Sequence, residues 1–298
     1  MIEEFQRVRI EGYLLNRLVM HPSENVPVKA VALFYHGQGD YAERYLDVLG
    51  PFTEQGIRCV VTELPGHGLS PGRRGHCGEA TLLDAVIHDT LLTQGVIDGN
   101  GERAGVGLPY GVMGHSMGGL LAVRHLILSG TGELPLPGFA WLSSPLLRPS
   151  NARPPLFREI IRWLAPIIPS FTVSTGVTPA HCRVKSEQDE GGEPQGEVSA
   201  KHQLWHNRIS IGWGATLLDV EQLVEDSIDQ IPPAIPLLYT QGAEDPICLV
   251  EVARVMFDRL PNKHKNYHEF EHLLHEPFRG DGSEELFDAL EAWIESLP

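Results

Sequence analysis

One serine, set between two glycines where an apolar strand meets an apolar helix, constrains this chain more than any other feature. Residues 108–123 read Leu-Pro-Tyr-Gly-Val-Met-Gly-His-Ser-Met-Gly-Gly-Leu-Leu-Ala-Val. The pattern predicts a strand over 110–114, a tight turn and the start of a helix. The turn carries Gly114-His115-Ser116-Met117-Gly118. A serine on such a strained strand-to-helix turn exposes its hydroxyl, and the flanking glycines let the two backbones pass closely. The helix N-terminus behind it favours developing negative charge. A second glycine–serine–glycine match, Gly68-Leu69-Ser70-Pro71-Gly72, lacks this context. No helix follows it, and Pro71 has no N–H to offer an oxyanion.

Around this turn the chain alternates. Residues 5–10 and 13–20 read as a hairpin joined at Glu11-Gly12, and 28–35 as a buried strand ending in His36-Gly37-Gln38-Gly39. A helix over 44–55, a strand over 57–62, a helix over 81–97, the 110–114 strand, a helix over 117–128 and a strand over 139–143 follow. Strand–helix alternation of this kind implies an α/β fold, a mostly parallel central sheet with helices on its two faces. It stops at Pro145. Residues 145–214 are rich in proline, hold an apolar helix over 156–168 and a polar stretch over 186–196, and read as an inserted helical lid. A strand at 236–239, a helix at 250–260, a strand at 265–271 and a closing amphipathic helix at 284–297 complete the sheet. The expected organisation is a core over 1–144, the insertion over 145–214, and the rest of the core over 215–298.

The net charge of −16 argues against a nucleic-acid partner and against a polybasic membrane anchor. It leaves a neutral lipid substrate open. The cysteines Cys59, Cys77, Cys182 and Cys248 have no close metal-ligand spacing, so free thiols in a reducing cytoplasm are expected. The start of the chain has no signal-like apolar run, and no stretch reaches transmembrane length.

Serine is a weak nucleophile until an imidazole takes its proton and a carboxylate orients that imidazole. Asp245 follows the 236–239 strand, where such an acid belongs; Glu244 beside it is the rival, and a helix-capping role for Asp245 the structural alternative. The base comes last in the order serine, acid, histidine. His264 precedes the final strand and His268 falls within it, which leaves His275, the preferred residue, and His272, the alternative. The N–H groups of Gln38 and Met117 are candidates for an oxyanion hole. Gly37, Arg44 and His115, close to these loops, are read as substrate-binding. His67, between two glycines and ahead of the nucleophile, reads as a structural loop histidine. The apolar side chains of the inserted helix, Ile160, Trp163, Leu164 and Ile167 among them, either pack on the core or line an apolar substrate tunnel. Exposed, they would allow transient contact with a membrane surface. The chemistry needs no metal or organic cofactor.

Four stretches resemble the monoacylglycerol lipase and lysophospholipase branch of the α/β-hydrolases. They are His36-Gly-Gln-Gly-Asp-Tyr-Ala-Glu-Arg44-Tyr45, Pro65-Gly-His-Gly-Leu-Ser-Pro-Gly-Arg-Arg-Gly, Gly114-His-Ser-Met-Gly-Gly, and Gln241-Gly-Ala-Glu-Asp245 with His275-Glu276. The resemblance implies an α/β-hydrolase fold and hydrolysis of monoacylglycerols or lysophospholipids through an acyl-enzyme on Ser116. A general carboxylesterase or thioesterase acting on short esters is the alternative. It aligns Ser116, Asp245 and His275 with the family's nucleophile, acid and base, and Gln38 and Met117 with its oxyanion donors. The chain departs from the family at His202-Gln203, where Asp-Pro is usual, and in Arg279-Gly-Asp-Gly-Ser, which delays the last helix.

Overall fold

The computed structural model describes residues 1–102, 107–147, 155–183 and 204–297. Ten strands and eight α-helices are described in these segments. β1 (Ile2–Ile10) and β2 (Tyr13–His21) form the expected hairpin. β3 (Ala30–Tyr35) follows, then α1 (Leu46–Glu54), β4 (Ile57–Thr62), α2 (Ala80–Thr93), β5 (Tyr110–His115), α3 (Met117–Gly130) and β6 (Phe139–Ser143). After β6 come α4 (Pro155–Leu164), β7 (Thr172–Ser174), the single turn α5 (Pro179–Cys182) and β8 (Arg208–Ser210). The chain then returns through α6 (Ile211–Ser227) to β9 (Leu237–Gly242), α7 (Val250–Arg259), β10 (Lys265–Phe270) and α8 (Glu284–Glu295).

Eight strands make one sheet in the order β1-β2-β4-β3-β5-β6-β9-β10. Only β1 and β2 run antiparallel to their neighbours. β3 to β6, β9 and β10 are parallel, and the central ones are buried on both sides, as their β-branched and apolar runs require. Two apolar layers flank the sheet. One gathers α2, α3 and α6 around Leu120, Leu126, Trp213 and Val220; the other gathers α1 and α8 around Phe52, Trp141, Trp293 and Leu290. Within the second layer Trp141 stacks on Phe52 at 5.6 Å and donates its indole N–H to Thr240. The four cysteines are free and buried.

The segment between β6 and β9 departs most from expectation. Its helix α4 ends at Leu164 instead of running to 168, because Pro166 and Pro169 interrupt it. The expected boundary at 214 falls inside α6, which runs unbroken from Ile211 to Ser227. A short antiparallel pair, β7 with β8, closes the insertion. Both the polar stretch at 186–196 and the His202-Gln203 departure lie outside the described residues. No helix among the described residues is long and apolar enough to cross a membrane.

Candidate active site

Parallel strands end on one rim of a sheet, and open α/β sheets place ligands there. Here β3 delivers Gln38 to that rim, β5 delivers Ser116, β9 delivers Asp245 and β10 delivers His275. Ser116 sits between β5 and α3 with φ 56° and ψ −120°, a left-handed conformation costly for a residue with a side chain. The surroundings enforce it. The Ser116 N–H donates to the Ser143 carbonyl at 2.9 Å, and the Ser116 carbonyl accepts from Leu146 at 2.8 Å. A Cβ on Gly114 would overlap the Gly118 carbonyl, and one on Gly118 would overlap the Tyr35 carbonyl, so α3 packs this close only with glycine at both places.

The Ser116 hydroxyl lies 2.8 Å from His275 Nε2, and His275 Nδ1 lies 2.7 Å from Asp245 Oδ2. Since the carboxylate only accepts, Nδ1 carries the proton and Nε2 is left to accept from serine. Asp245 is fixed on every side: Gln241 Nε2 donates to Oδ2 at 2.9 Å, and the Ile247 and Cys248 N–H groups donate to Oδ1 at 2.8 and 2.9 Å. The rivals lie outside this chain of bonds. Glu244 and His272 are exposed and meet each other at 3.3 Å. Ser70, the serine of the second motif, is buried with its hydroxyl donating to the Glu63 carbonyl.

Gln38 and Met117 flank the serine. A Cβ built on Gly37 would lie 3.6 Å from Ser116 Cβ, which sets the Gly37–Gln38 backbone against the hydroxyl. The Gly37 N–H is taken by the Tyr45 hydroxyl at 2.8 Å. Among the described residues, nothing accepts from the Gln38 or Met117 N–H. Two unengaged backbone donors beside a serine can hold the oxygen of a tetrahedral intermediate.

The surroundings of the residues expected to bind substrate differ from one another. Arg44 is held by Asp40 at 2.6 Å and donates to Glu276 Oε1 at 2.7 Å, so its guanidinium braces the residue after His275. These carboxylates raise its pKa further against burial. His115 is buried, with its ring 4.8 Å from that of His275 and edge-on to Phe278 at 5.0 Å. Burial, then the nearby His275 and Arg44, push its pKa well below the ordinary range, so it packs as a neutral ring. On the inserted helix, Leu164 joins Ile161 against Ile211, Ala215 and Leu218 of α6. Ile160 and Trp163 on α4, and Ile167 just past its end, face outward at 43, 69 and 58 % exposure. The helix carries two apolar faces, and α6 covers one.

The sequence reading assigned His67 only a structural loop role. His67 is buried between two other imidazoles, 4.9 Å from the His36 ring and 4.8 Å from the His206 ring. The stack joins the loops after β3 and β4 to the segment before β8. Nothing in the local sequence around residue 206 signals a contact with residue 67.

A strained serine on the elbow between β5 and α3, a hydrogen-bonded imidazole and carboxylate from the last two strands, and a mostly parallel eight-stranded sheet define an α/β-hydrolase. The family model of the serine aminopeptidases, S33, matches residues 26–281, and the chain belongs to that family. The chain is 27 % identical over 270 residues to an uncharacterised abhydrolase domain-containing protein of Dictyostelium discoideum. That match takes in 90 % of this chain but 26 % of the relative, so the chain spans about a quarter of it. It is 26 % identical to the phospholipase YtpA of Bacillus subtilis, over 89 % of this chain and 95 % of the relative. Among solved structures, the monoacylglycerol lipase of Paleococcus ferrophilus superposes with a TM-score of 0.77 at 25 % identity, covering 95 % of this chain and 99 % of that one.

Proposed function

We propose that the protein hydrolyses carboxylic esters of lipids, monoacylglycerols or lysophospholipids, through an acyl-enzyme on Ser116. The observation that carries this reading is the unbroken run of hydrogen bonds from Ser116 Oγ through His275 to Asp245, at 2.8 and 2.7 Å. The similarity to a monoacylglycerol lipase and a phospholipase directs it toward lipid esters.

Ser116 Oγ attacks the ester carbonyl carbon and gives its proton to His275 Nε2. The carbonyl electron pair moves to oxygen, and the Gln38 and Met117 N–H groups hold the oxyanion. When it collapses, the alcohol leaves with the proton from His275. Water then repeats the sequence on the acyl-serine and releases the fatty acid. Asp245 keeps the imidazole in the required tautomer and stabilises its cation. Arg44 holds Glu276, and with it the loop that carries His275.

The segment from 145 to the start of α6 acts as the lid, and its outward stripe of Leu156, Ile160, Trp163 and Ile167 meets a lipid surface. Leu156, Ile160 and Trp163 are spaced by four and three on one face of α4, Ile167 follows in the turn just past its end, and Leu156 is 72 % exposed. A soluble surface gains nothing from such a stripe, whereas an interface buries it.

A glyceryl ester series from C8 to C18 beside matched lysophospholipids tests the reading, with Ser116→Ala as the blank. Hydrolysis of medium or long monoacylglycerols or lysophospholipids is expected, falling about 10⁶-fold in the folded variant. Full activity in Ser116→Ala overturns the mechanism. Turnover confined to short, activated esters overturns the lipid assignment and leaves a carboxylesterase.

A further inference from the structure

The two backbone donors assigned to the oxyanion come from different loops, one after β3 and the other at the start of α3. Their side chains meet on a single atom. The indole N–H of Trp213 donates to Gln38 Oε1 at 3.0 Å and points at Met117 Sδ at 3.3 Å. Trp213 is fully buried, three residues after Ser210, whose hydroxyl accepts its backbone N–H at 3.1 Å and fixes the first turn of α6. His76 Nδ1 reaches the same hydroxyl at 2.9 Å.

The other end of the Gln38 amide is also held. Its Nε2 donates to the Arg208 carbonyl at 2.7 Å. One residue on, the Gly39 carbonyl accepts from the His206 N–H at 2.9 Å. Residues 206, 208 and 213 thus grip three consecutive features of the oxyanion loop, and all three lie where the insertion returns to the core. Among the described residues, these are the hydrogen bonds of the Gln38 side chain. An amide has both a donor and an acceptor, and here each has one partner from this returning segment.

We infer that Trp213 is a positioning residue. Through Gln38 and Met117 it sets the spacing of the two oxyanion donors and ties that spacing to the stem of the insertion. An oxyanion hole works because its donors are placed before charge develops, and small displacements cost rate without weakening ground-state binding. A Trp213 that shifts with the stem carries the position of the insertion to the hole. The inference rests on the oxyanion roles proposed above for Gln38 and Met117.

Two variants break the link from opposite ends. Trp213→Phe keeps the ring and removes the N–H; Gln38→Met keeps the backbone donor and removes the amide. A trifluoromethyl ketone of a long acyl chain is the probe, since Ser116 adds to its carbonyl and the oxygen takes the oxyanion position. Each variant is expected to lower kcat by about tenfold, part of the about hundredfold typical of a lost donor, with KM within about twofold. The ketone should weaken by the same factor as kcat, and active-site labelling by a fluorophosphonate should remain stoichiometric. The double variant should lose less than the two single losses combined, because both remove the shared Trp213–Gln38 hydrogen bond.

Wild-type kcat in both variants overturns the inference. So does a fall in kcat with unchanged ketone affinity, or a fully additive double variant. Should Trp213→Phe fail to fold, Gln38→Met alone decides by the same readouts. A wild-type enzyme that neither the ketone nor the fluorophosphonate touches overturns the hydrolase reading as a whole, whereas an inhibited wild type with equally inhibited variants overturns only the positioning role.

Discussion

Two acid–imidazole pairs sit side by side at the ends of β9 and β10, one buried and one in water. Asp245 with His275 is enclosed, at 0 and 5 % side-chain exposure; Glu244 with His272 is open, at 60 and 84 %. Only the enclosed pair reaches Ser116. His275→Gln is therefore expected to lower ester turnover by about 10⁴-fold or more, and His272→Gln to leave it within about twofold, in the same steady-state assay. An exposed pair such as Glu244–His272 contributes little to stability, so His272→Gln should not move the melting temperature much. The preference for His275 was legible in the sequence because residues 271–274 are the right length for a turn. Backbone geometry adds what sequence lacked: His272 occupies that turn at φ 63°. The true surroundings of Arg44 and His115 were not legible. Their neighbours, Glu276 and Phe278, lie more than 160 residues further along the chain, and only the fold brings them in.

Among the elements, most strands announced themselves. Runs such as Ile57–Thr62 and Phe139–Ser143 are short, apolar and bounded by glycine, and they form where expected. Helix α6 went unread because Gly212 and Gly214 open it and acidic residues punctuate its second half. Its signal was present in Trp213, Leu217, Val220 and Val224, spaced by four, three and four, which are the buried residues of its inner face. The His36–His67–His206 stack joins elements in a way that responds to acid. Burial pushes all three pKa values down, His206 to about 4 and His67 well below its ordinary value near 6.5. Between those values the unfolded chain binds protons that the folded chain refuses. Stability is thus complete above about 6.5 and is lost as pH falls through the window. Glu63 and Asp40, whose carboxyls are pushed up by burial, act in the opposite sense, so the comparison must be made against a variant. His67→Phe keeps the ring between its neighbours and removes one of these sites. Its melting temperature is expected to fall less steeply than that of the wild type from pH 6.5 to 4, as measured by thermal denaturation across that range.

At the scale of the molecule, a charge of −16 and an uncovered apolar stripe act together. Negative charge repels an anionic bilayer, so the proposed membrane contact would rest on apolar burial and should favour zwitterionic lipid. Co-sedimentation with phosphatidylcholine vesicles is expected to weaken by about tenfold or more when Trp163→Ser and Ile167→Ser are combined, given about 1.5–3 kcal/mol for each large apolar side chain buried. Equal sedimentation of the two proteins would rule out this stripe as the contact. The insertion was legible as an interruption of the strand–helix rhythm, but which side of α4 faces outward was not, since both sides are apolar and only α6 decides between them. The buried cysteines bear on how that face can be observed. Cys59, Cys77, Cys182 and Cys248 are all enclosed, and burial raises each thiol above its usual pKa, so all four are poor targets for a maleimide. A thiol introduced as Trp163→Cys would stand alone in its reactivity. A nitroxide or a polarity-sensitive dye could be attached there without first stripping the native cysteines, and would read the depth of that one position at a bilayer.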